Sequence, residues 1–546
     1  MRTLRVHGLA LAALGGFGLG ACNFVLGLAD GPPGTGGGVG TGVSSSSSGS
    51  GASTTASSGG GDGGMEPDAD AGVDAGPTGR GLWAQSYDGS TVSAIAAGPN
   101  GTLYLTGGGA TGPSSFGCSA DAGSGTGSGY LVQLDASGNC LWGFFFGGSA
   151  QGTGVAVDRA GDVVLTAQFS GSSVNLIPNA TPAWPPEPVA FIGQVNSFVA
   201  LYGPTHTLTR AYLLGDFGGA GDHLATAVAI NDALTVAVAA SYTSSIGVIE
   251  PPLSPGPYSV ETSADGTDSV VLRFDMTGDL GAPLWVTGKM ATPQVASAVA
   301  LDSSGNVAVA GTTTGPTVFD TLMPVPAPMM TPSIFLASWA GDGGVPFSAV
   351  LGGDLDNDGG AAPQDHRSTV FDGAGNMLVG ATFTGSITGV ASPAAAGQSV
   401  FLGRYTNVGA PLLASLRFGS DTASEDATLA GVATDVMGTG SVTFAGGFQG
   451  SPFFHISNGP SITTPVGAAA AYVAKVDSTL GTVLWLEKYG GGGGHQVVDA
   501  VAVDPTSGNV LVAGHYQGKL DFGGTAVPPL VNNTTNDELF VAVLSP

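Results

Sequence analysis

An all-β fold of repeated four-stranded antiparallel units is what this sequence predicts, and three observations carry the prediction. A phrase of short apolar runs and turn signals recurs seven times between residues 82 and 546. Glycine and proline, 94 and 34 of 546 residues, punctuate the chain throughout. No segment sustains the 3.6-residue apolar period of an amphipathic helix.

The phrase is plainest near the end, where Asp499 to Gly524 reads D-A-V-A-V-D-P-T-S-G-N-V-L-V-A-G-H-Y-Q-G-K-L-D-F-G-G. It divides into four short strands, here A to D. Strand A is expected at Val92–Ile95, Val155–Val157, Val228–Ile230, Val299–Leu301, Thr369–Phe371, Val432–Ala433 and Val501–Val503. A tight-turn signal follows each run, such as Asn100-Gly101, Ala160-Gly161, Asn231-Asp232, Ser304-Gly305-Asn306 or Ser507-Gly508-Asn509. Asn and Gly suit these turns because the backbone there needs positive φ. Strand B follows at once, as in Leu103–Leu105 and Val510–Val512, which makes each A–B pair a hairpin.

After strand B the copies diverge through insertions rich in Gly, Pro and Ser. Strand C returns at Tyr130–Val132, Phe198–Val199, Val270–Leu272, Phe335–Leu336, Phe401–Leu402, Tyr472–Val473 and Phe540–Val541. Leu-Trp marks strand D at Trp83, Trp142, Trp285 and Trp485, where a recurring aromatic is expected to pack between neighbouring sheets. Seven small sheets bury both faces best in a radial array, a seven-bladed β-propeller of four-stranded antiparallel blades. The phase of the chain agrees. It starts on a D-type strand at Leu82-Trp83 and ends after a C-type strand at Leu544, so the N-terminal strand is expected to join the last blade and close it.

The pattern A-V-D-x-S-G-N-V-x-V-x-G, then D-F-G-G, F-V-A-K-L-D and L-W, resembles the SBBP beta-propeller repeat family of bacterial exported proteins. Asp499 to Gly524 and Ala471 to Trp485 carry it best, and Asp302 to Gly311 and Asp158 to Thr166 in part, while the third, fifth and sixth copies have lost the Trp or the Asn-Gly signature. The resemblance implies a seven-bladed propeller on a lipoprotein and brings no established activity.

Ahead of the repeats, residues 1–21 read as an export signal: Arg2 and Arg5, then an apolar stretch from Leu9 to Leu19 too short to be a permanent membrane span. The signal ends in Leu19-Gly20-Ala21-Cys22, which resembles the lipobox of bacterial lipoproteins and implies diacylglycerol on Cys22 and an acylated, palmitate-type amino terminus. Each buried methylene contributes about 0.8 kcal/mol, so several chains together anchor stably. Asn23 stands where inner-membrane members of that family often carry Asp, which points to the outer membrane or the cell surface. Residues 22–80 hold almost nothing to bury, so they form an expected disordered tether of low complexity, with a reach on the order of 40 Å. The folded body is expected over residues 81–546.

Charge excludes one class of partner. Lys and Arg number 13 against 40 Asp and Glu, a formal net charge of -27, and such a field repels phosphate backbones. Asp354-Leu355-Asp356-Asn357-Asp358-Gly359, with Asp365 at the twelfth place, has the spacing of a calcium loop. Oxygens at alternate positions wrap a hard cation and Gly359 allows the turn, but Asp365 is shorter than the usual Glu; a solvated acidic turn is the alternative. Cys118 and Cys140, both in the first repeat of an exported chain, are expected to form a disulfide contributing about 3 kcal/mol. Gly107-x-Gly109-x-x-Gly112 follows a strand but leads into Pro113 with no helix, so it is not a dinucleotide fingerprint. His223, His366, His495 and His515 read as scattered turn or surface residues, and Asp222, Asp426 and Asp499, each shortly before strand A, as turn caps. No catalytic motif stands out. The expected function is a non-catalytic binding or scaffold module for protein or glycan, anchored to the cell envelope. The alternatives are a lyase or hydrolase working in the axial pocket, or a purely structural envelope protein.

Overall fold

The structure, a computed structural model, describes residues 79 to 546 apart from several loop segments, the longest at 177–194 and 316–332. Cys22, the rest of residues 1–78, Asp356, Asp358, Asp365 and His366 lie outside the described residues. What is described is all-β, with two single-turn 3-10 segments at Pro99–Gly101 and Pro113–Phe116.

Seven antiparallel meanders follow one another. The first runs Thr91–Ala97, Leu103–Ala110, Ser128–Leu134 and Cys140–Phe145, neighbours in sequence being neighbours in the sheet. The second is Gln151–Val157, Val163–Phe169, Asn196–Tyr202 and Leu208–Gly215. The third is His223–Ile230, Thr235–Tyr242, Asp268–Asp275 and Trp285–Thr287. The fourth is Gln294–Leu301, Val307–Thr313, Ser333–Trp339 and Phe347–Asp354. The fifth is Arg367–Phe371, Met377–Ile387, Ala395–Tyr405 and Leu412–Gly419. The sixth begins with Asp426–Ala427 and Gly431–Thr434, then Val442–Gln449, Ala469–Val476 and Val483–Tyr489. The seventh takes Gln496–Val503, Val510–Tyr516 and Glu538–Leu544 from the chain's end, and its fourth strand, Gly81–Tyr87, from its beginning.

That split repeat pairs from Gly81 opposite Leu544 to Tyr87 opposite Leu539, with one slip in register at Leu82. At its tip the Ser545 amide donates to Arg80 O (2.8 Å) and the Gly79 amide to Ser545 O (3.2 Å), replacing the turn that a continuous chain would supply. The strands A pack in order, each against the next, and Thr91–Ala97 packs against both Gln151–Val157 and Gln496–Val503.

Both faces of the central strands are buried, which explains their nearly unbroken apolar sequences. Thr235–Tyr242, TVAVAASY, is buried at every position. Its Val236, Val238 and Ala240 pack with Val199 and Leu214 of the second repeat, whereas Ala237 and Ala239 pack with Val299 and Phe335 of the fourth. Each sheet is thus a layer between two cores, with roughly 25 cal/mol gained per Å² of apolar surface covered.

Strand A carries one extra residue in five repeats, at Ser93, Thr153, Thr226, Ser297 and Asp499, where its register against strand B slips. The slip drives the strand A backbone into strand B. A Cβ on Gly514 would lie 2.0 Å from the Val497 carbonyl, and on Gly107 1.9 Å from that of Thr91, so the glycine in V-x-V-x-G leaves room for the bulge.

The A–B turns follow the expectation with one difference. Positive φ falls on Gly161, Gly305, Gly375, Gly440 and Gly508, and on both Asn100 and Gly101. In the third repeat it falls on Leu234 (φ 55°), with Asn231 acting through its side chain instead: Oδ1 accepts from the Ala233 and Thr235 amides, both at 3.1 Å. That local capping holds a leucine where an Asn-Gly pair would have been read.

The B–C insertions do not simply leave the body. In the third repeat Ser245–Ile249 pairs with the outer strand Leu208–Gly215 of the second, and in the sixth Phe453–Phe454 pairs with Leu412–Gly419 of the fifth. In the first, Phe116 sits 5.1 Å from Tyr87 of the seventh repeat, ring centre to ring centre. In these three repeats their described parts strap the sheet to the one before it and cover exposed edges.

Candidate functional site

Every sheet has a turn end, with the A–B and C–D connections, and a loop end, with the B–C and D–A connections. The turn end is a repeated hydrogen-bonded design. In the fifth repeat Asp372 Oδ1 accepts from the Ala374 and Asn376 amides at 2.9 and 2.8 Å, and Asp302 does the same in the fourth. Asp504, Asp158 and the C–D residues Asp135 and Asp477 cap their own turns likewise. Such bonds stabilise the carboxylate and hold Asp135, Asp275, Asp372 and Asp477 below the ordinary range, for Asp372 against the opposing effect of burial. These acids therefore have a structural use.

Neighbouring sheets latch together at this end. Trp142 of the first repeat stacks on His206 in the C–D turn of the second (4.4 Å, interplanar angle 7°), and His206 Nε2 donates to Gln133 Oε1 at 2.9 Å. Trp83 of the seventh repeat packs on Gly138 in the C–D turn of the first, and Trp485 of the sixth on Gly79. The expectation of a packing aromatic holds for these three, and its seat is the next sheet's turn. Arginine bridges two further junctions: Arg273 Nη1 of the third repeat donates to Gly341 O (2.6 Å), and in the fifth, which lacks the Trp, Arg404 pairs with Asp372 while its Nη1 donates to Ser478 O (2.9 Å).

The loop end holds the titratable side chains that this network does not use. Cys118 and Cys140 form the expected disulfide, Cα to Cα 5.1 Å, tying the first B–C insertion back to the turn-end start of Cys140–Phe145. Asp354 ends Phe347–Asp354 and pairs through its backbone with Thr384. Asp426 Oδ1 accepts from the Gln398 amide (2.9 Å), bracing a neighbouring repeat rather than its own turn. The Asp222 amide bonds Thr243 Oγ1 (2.9 Å), and Asp222 Oδ1 is buried without a hydrogen-bond partner. His223 is fully buried at the start of its strand.

His495, His515 and Asp499, read from the sequence as unrelated, come together in the seventh repeat. Asp499 is the bulge residue of Gln496–Val503, and its Oδ2 stands 2.7 Å from His515 Nδ1 on the adjacent Val510–Tyr516. The His495 and His515 rings are 5.2 Å apart, with the His495 carbonyl pinned by the Gln517 amide (2.8 Å). Asp537, exposed just before Glu538–Leu544, is close enough to act electrostatically on both imidazoles. Burial alone would lower His515; the Asp499 hydrogen bond and charge, with Asp537, raise it instead. His495 is lowered, by burial and by the neighbouring His515. Below lies the core shared with the first repeat, including Leu539 and Tyr130. No sequence signal announced this meeting: His515 stands opposite Val497 in the ladder, and Asp499 reaches its ring as the extra residue of the bulge. Among the described residues no group of three or more His, Cys, Asp or Glu side chains could hold a metal ion.

No protein-family model matches the chain, and no curated protein does.

Proposed function

We propose that the chain is a lipid-anchored bacterial envelope protein, held at the outer membrane or cell surface through Cys22, whose seven sheets form a closed β-propeller of the SBBP type. In this reading the propeller is a non-catalytic binding or scaffold module for a surface protein or glycan. The observation that carries it is the split seventh repeat. The first strand completes the last sheet, and the strands A of the first and seventh repeats pack together. A linear stack has no reason for either. Closure gives a rigid base from which the loop ends present their connections in one direction, and recognition concentrates on loops held by such a base. Support for the anchor is the sequence around Cys22, with a long stretch of Gly, Ser and Asp between it and the repeats.

The test is crosslinking of the tagged, anchored protein in its native cells, with mass spectrometry of what is captured. One abundant partner, lost when the B–C insertions are shortened, is the expected result. A blank, repeated on glycan arrays, overturns the binding reading.

A further inference from the structure

We propose that four exposed leucines on the outer strands, Leu413, Leu484, Leu82 and Leu141, form a rim by which the turn end of the molecule rests on a neutral, zwitterionic lipid surface. The inference rests on the reading of Cys22 as a lipid anchor and of the seven sheets as a closed ring. It deepens that reading by giving the folded body an orientation on the membrane.

One structural position carries all four. Among the described residues five large apolar side chains are exposed, and Leu82 (49%), Leu141 (56%), Leu413 (51%) and Leu484 (46%) are four of them. Each is the second residue of a strand D, at the turn end of an outer strand. Each is also the extra residue where the register of strand D against strand C slips. Single apolar residues scattered over a surface need no explanation, but scatter does not repeat a position. Thr209 holds the same place in the second repeat, where its hydroxyl donates to Leu201 O (2.9 Å). In the fourth, Phe347 and Ser348 pair without a slip, and Leu284 of the third lies outside the described residues. The four leucines thus belong to the fifth, sixth, seventh and first repeats, which are neighbours in the closed order.

The chain's point of entry says what covers this rim. Gly79 is pinned between the sixth and seventh repeats: its amide donates to Ser545 O (3.2 Å), its carbonyl accepts from the Tyr489 hydroxyl (2.6 Å), and Trp485 packs on it. In the order of the repeats, Leu413 and Leu484 come before that point and Leu82 and Leu141 after it. Residues 23–78 join it to Cys22, and their Gly-, Ser- and Asp-rich composition gives a reach on the order of 40 Å. Acyl chains on Cys22 therefore hold this end of the body near lipid at high effective concentration. A few half-exposed leucines bind a bilayer weakly by themselves, and the anchor supplies the second signal that makes such binding stable. The bulges break the ladder of the edge strand, which disfavours an added strand from another chain. Charge selects the lipid. Asp135 and Asp477 cap the C–D turns that lead into Leu141 and Leu484, and the chain carries a net charge of -27, so an anionic surface is repelled and a zwitterionic one is not. Seated this way, the loop ends face away from the membrane.

The experiment is independent of acylation. The chain from residue 22 onward, with Cys22→Ser and an amino-terminal polyhistidine tag, is held on phosphatidylcholine vesicles through a nickel-chelating lipid. Quenching of tryptophan fluorescence by phosphatidylcholine brominated near the headgroup is read, since Trp83, Trp142 and Trp485 each follow a rim leucine directly. Expected is quenching that Leu82→Ser, Leu141→Ser, Leu413→Ser and Leu484→Ser together abolish, and that phosphatidylglycerol mixed into the vesicles weakens. Val531→Ser, at the fifth exposed apolar residue, changes nothing. An unchanged melting curve shows that the fourfold variant is folded; where it is not, Leu82→Ser with Leu484→Ser, the pair beside the entry point, takes its place and reduces the signal. Quenching absent from the native rim, or equal in a folded rim variant, overturns the proposal. So does a concentration-dependent dimer that the same variant disperses, which would give the rim to a second copy. The anchor reading fails separately, through an intact-mass measurement of the native protein that finds no acyl groups on Cys22.

Discussion

The two ends of the sheets differ in how much of their polar chemistry is spent on holding the fold. At the turn end the capping acids have partners: Asp372 caps its own turn and pairs with Arg404, which reaches on to Ser478 of the next repeat. At the loop end Asp499 and His515 bond each other and stay about a quarter exposed, their side chains at 26% and 29%. The same repeat thus yields a structural end whose residues recur, because each sheet makes the same junction with the next. It also yields an end where single copies depart, because no neighbour requires them to agree. A residue that breaks the repeat at the loop end is the better pointer to function.

The largest expected effect tests that contrast directly. Asp372→Ala leaves Arg404 without its carboxylate, beside a side chain only 4% exposed in the native pair, and is expected to lower unfolding free energy by about 3 kcal/mol in denaturant titration. Asp499→Ala is expected to cost less than about 1 kcal/mol. Equal losses would mean that the two ends are not divided in this way.

A smaller effect marks the one covalent tie, which joins the first B–C insertion to the turn-end start of Cys140–Phe145. Reduction of Cys118–Cys140, with 22 residues of separation, is expected to lower stability by about 3 kcal/mol at most and to speed amide exchange in the first B–C insertion only. Exchange that spreads through the other repeats would show that the first insertion also carries the general fold.

The smallest effect is a dependence on pH. Asp275, Asp372 and Asp477 have folded pKa values lower than in the unfolded chain. Their contribution is therefore present above the unfolded carboxylate value of about 3.9 and is lost as pH falls through the lower folded values. Melting temperature should hold from neutrality to about pH 5 and fall below about pH 4, with a shallower fall in Asp372→Asn. An equally steep fall in that variant would remove Asp372 from the turn-end account.

Most strand positions were legible in the sequence because their cause is local. Alternating or continuous apolar runs between Gly and Asn turns specify hairpins, and Val501–Val503 and Val510–Val512 pair as read. The split seventh repeat was also legible, from the phase of Leu82-Trp83 against Leu544. Leu234 was not, since its positive φ depends on capping by Asn231 that no turn signature announces. Neither was the destination of the B–C insertions. Ser245–Ile249 adds to the sheet of another repeat, and that pairing crosses a boundary where sequence separation says nothing about distance.

The candidate site divides in the same way. Composition and motif spacing by themselves determined an acidic chain of repeated hairpins with a disulfide in the first repeat, because turns, strand alternation and two cysteines act over short range. Only the tertiary structure decided that Trp142 would rest on His206, that Arg404 would hold Asp372, and that His495, His515 and Asp499 would meet. Those contacts depend on which strand ends are stacked side by side and on a one-residue slip in register, and both are settled by packing among whole sheets rather than by neighbours in the chain.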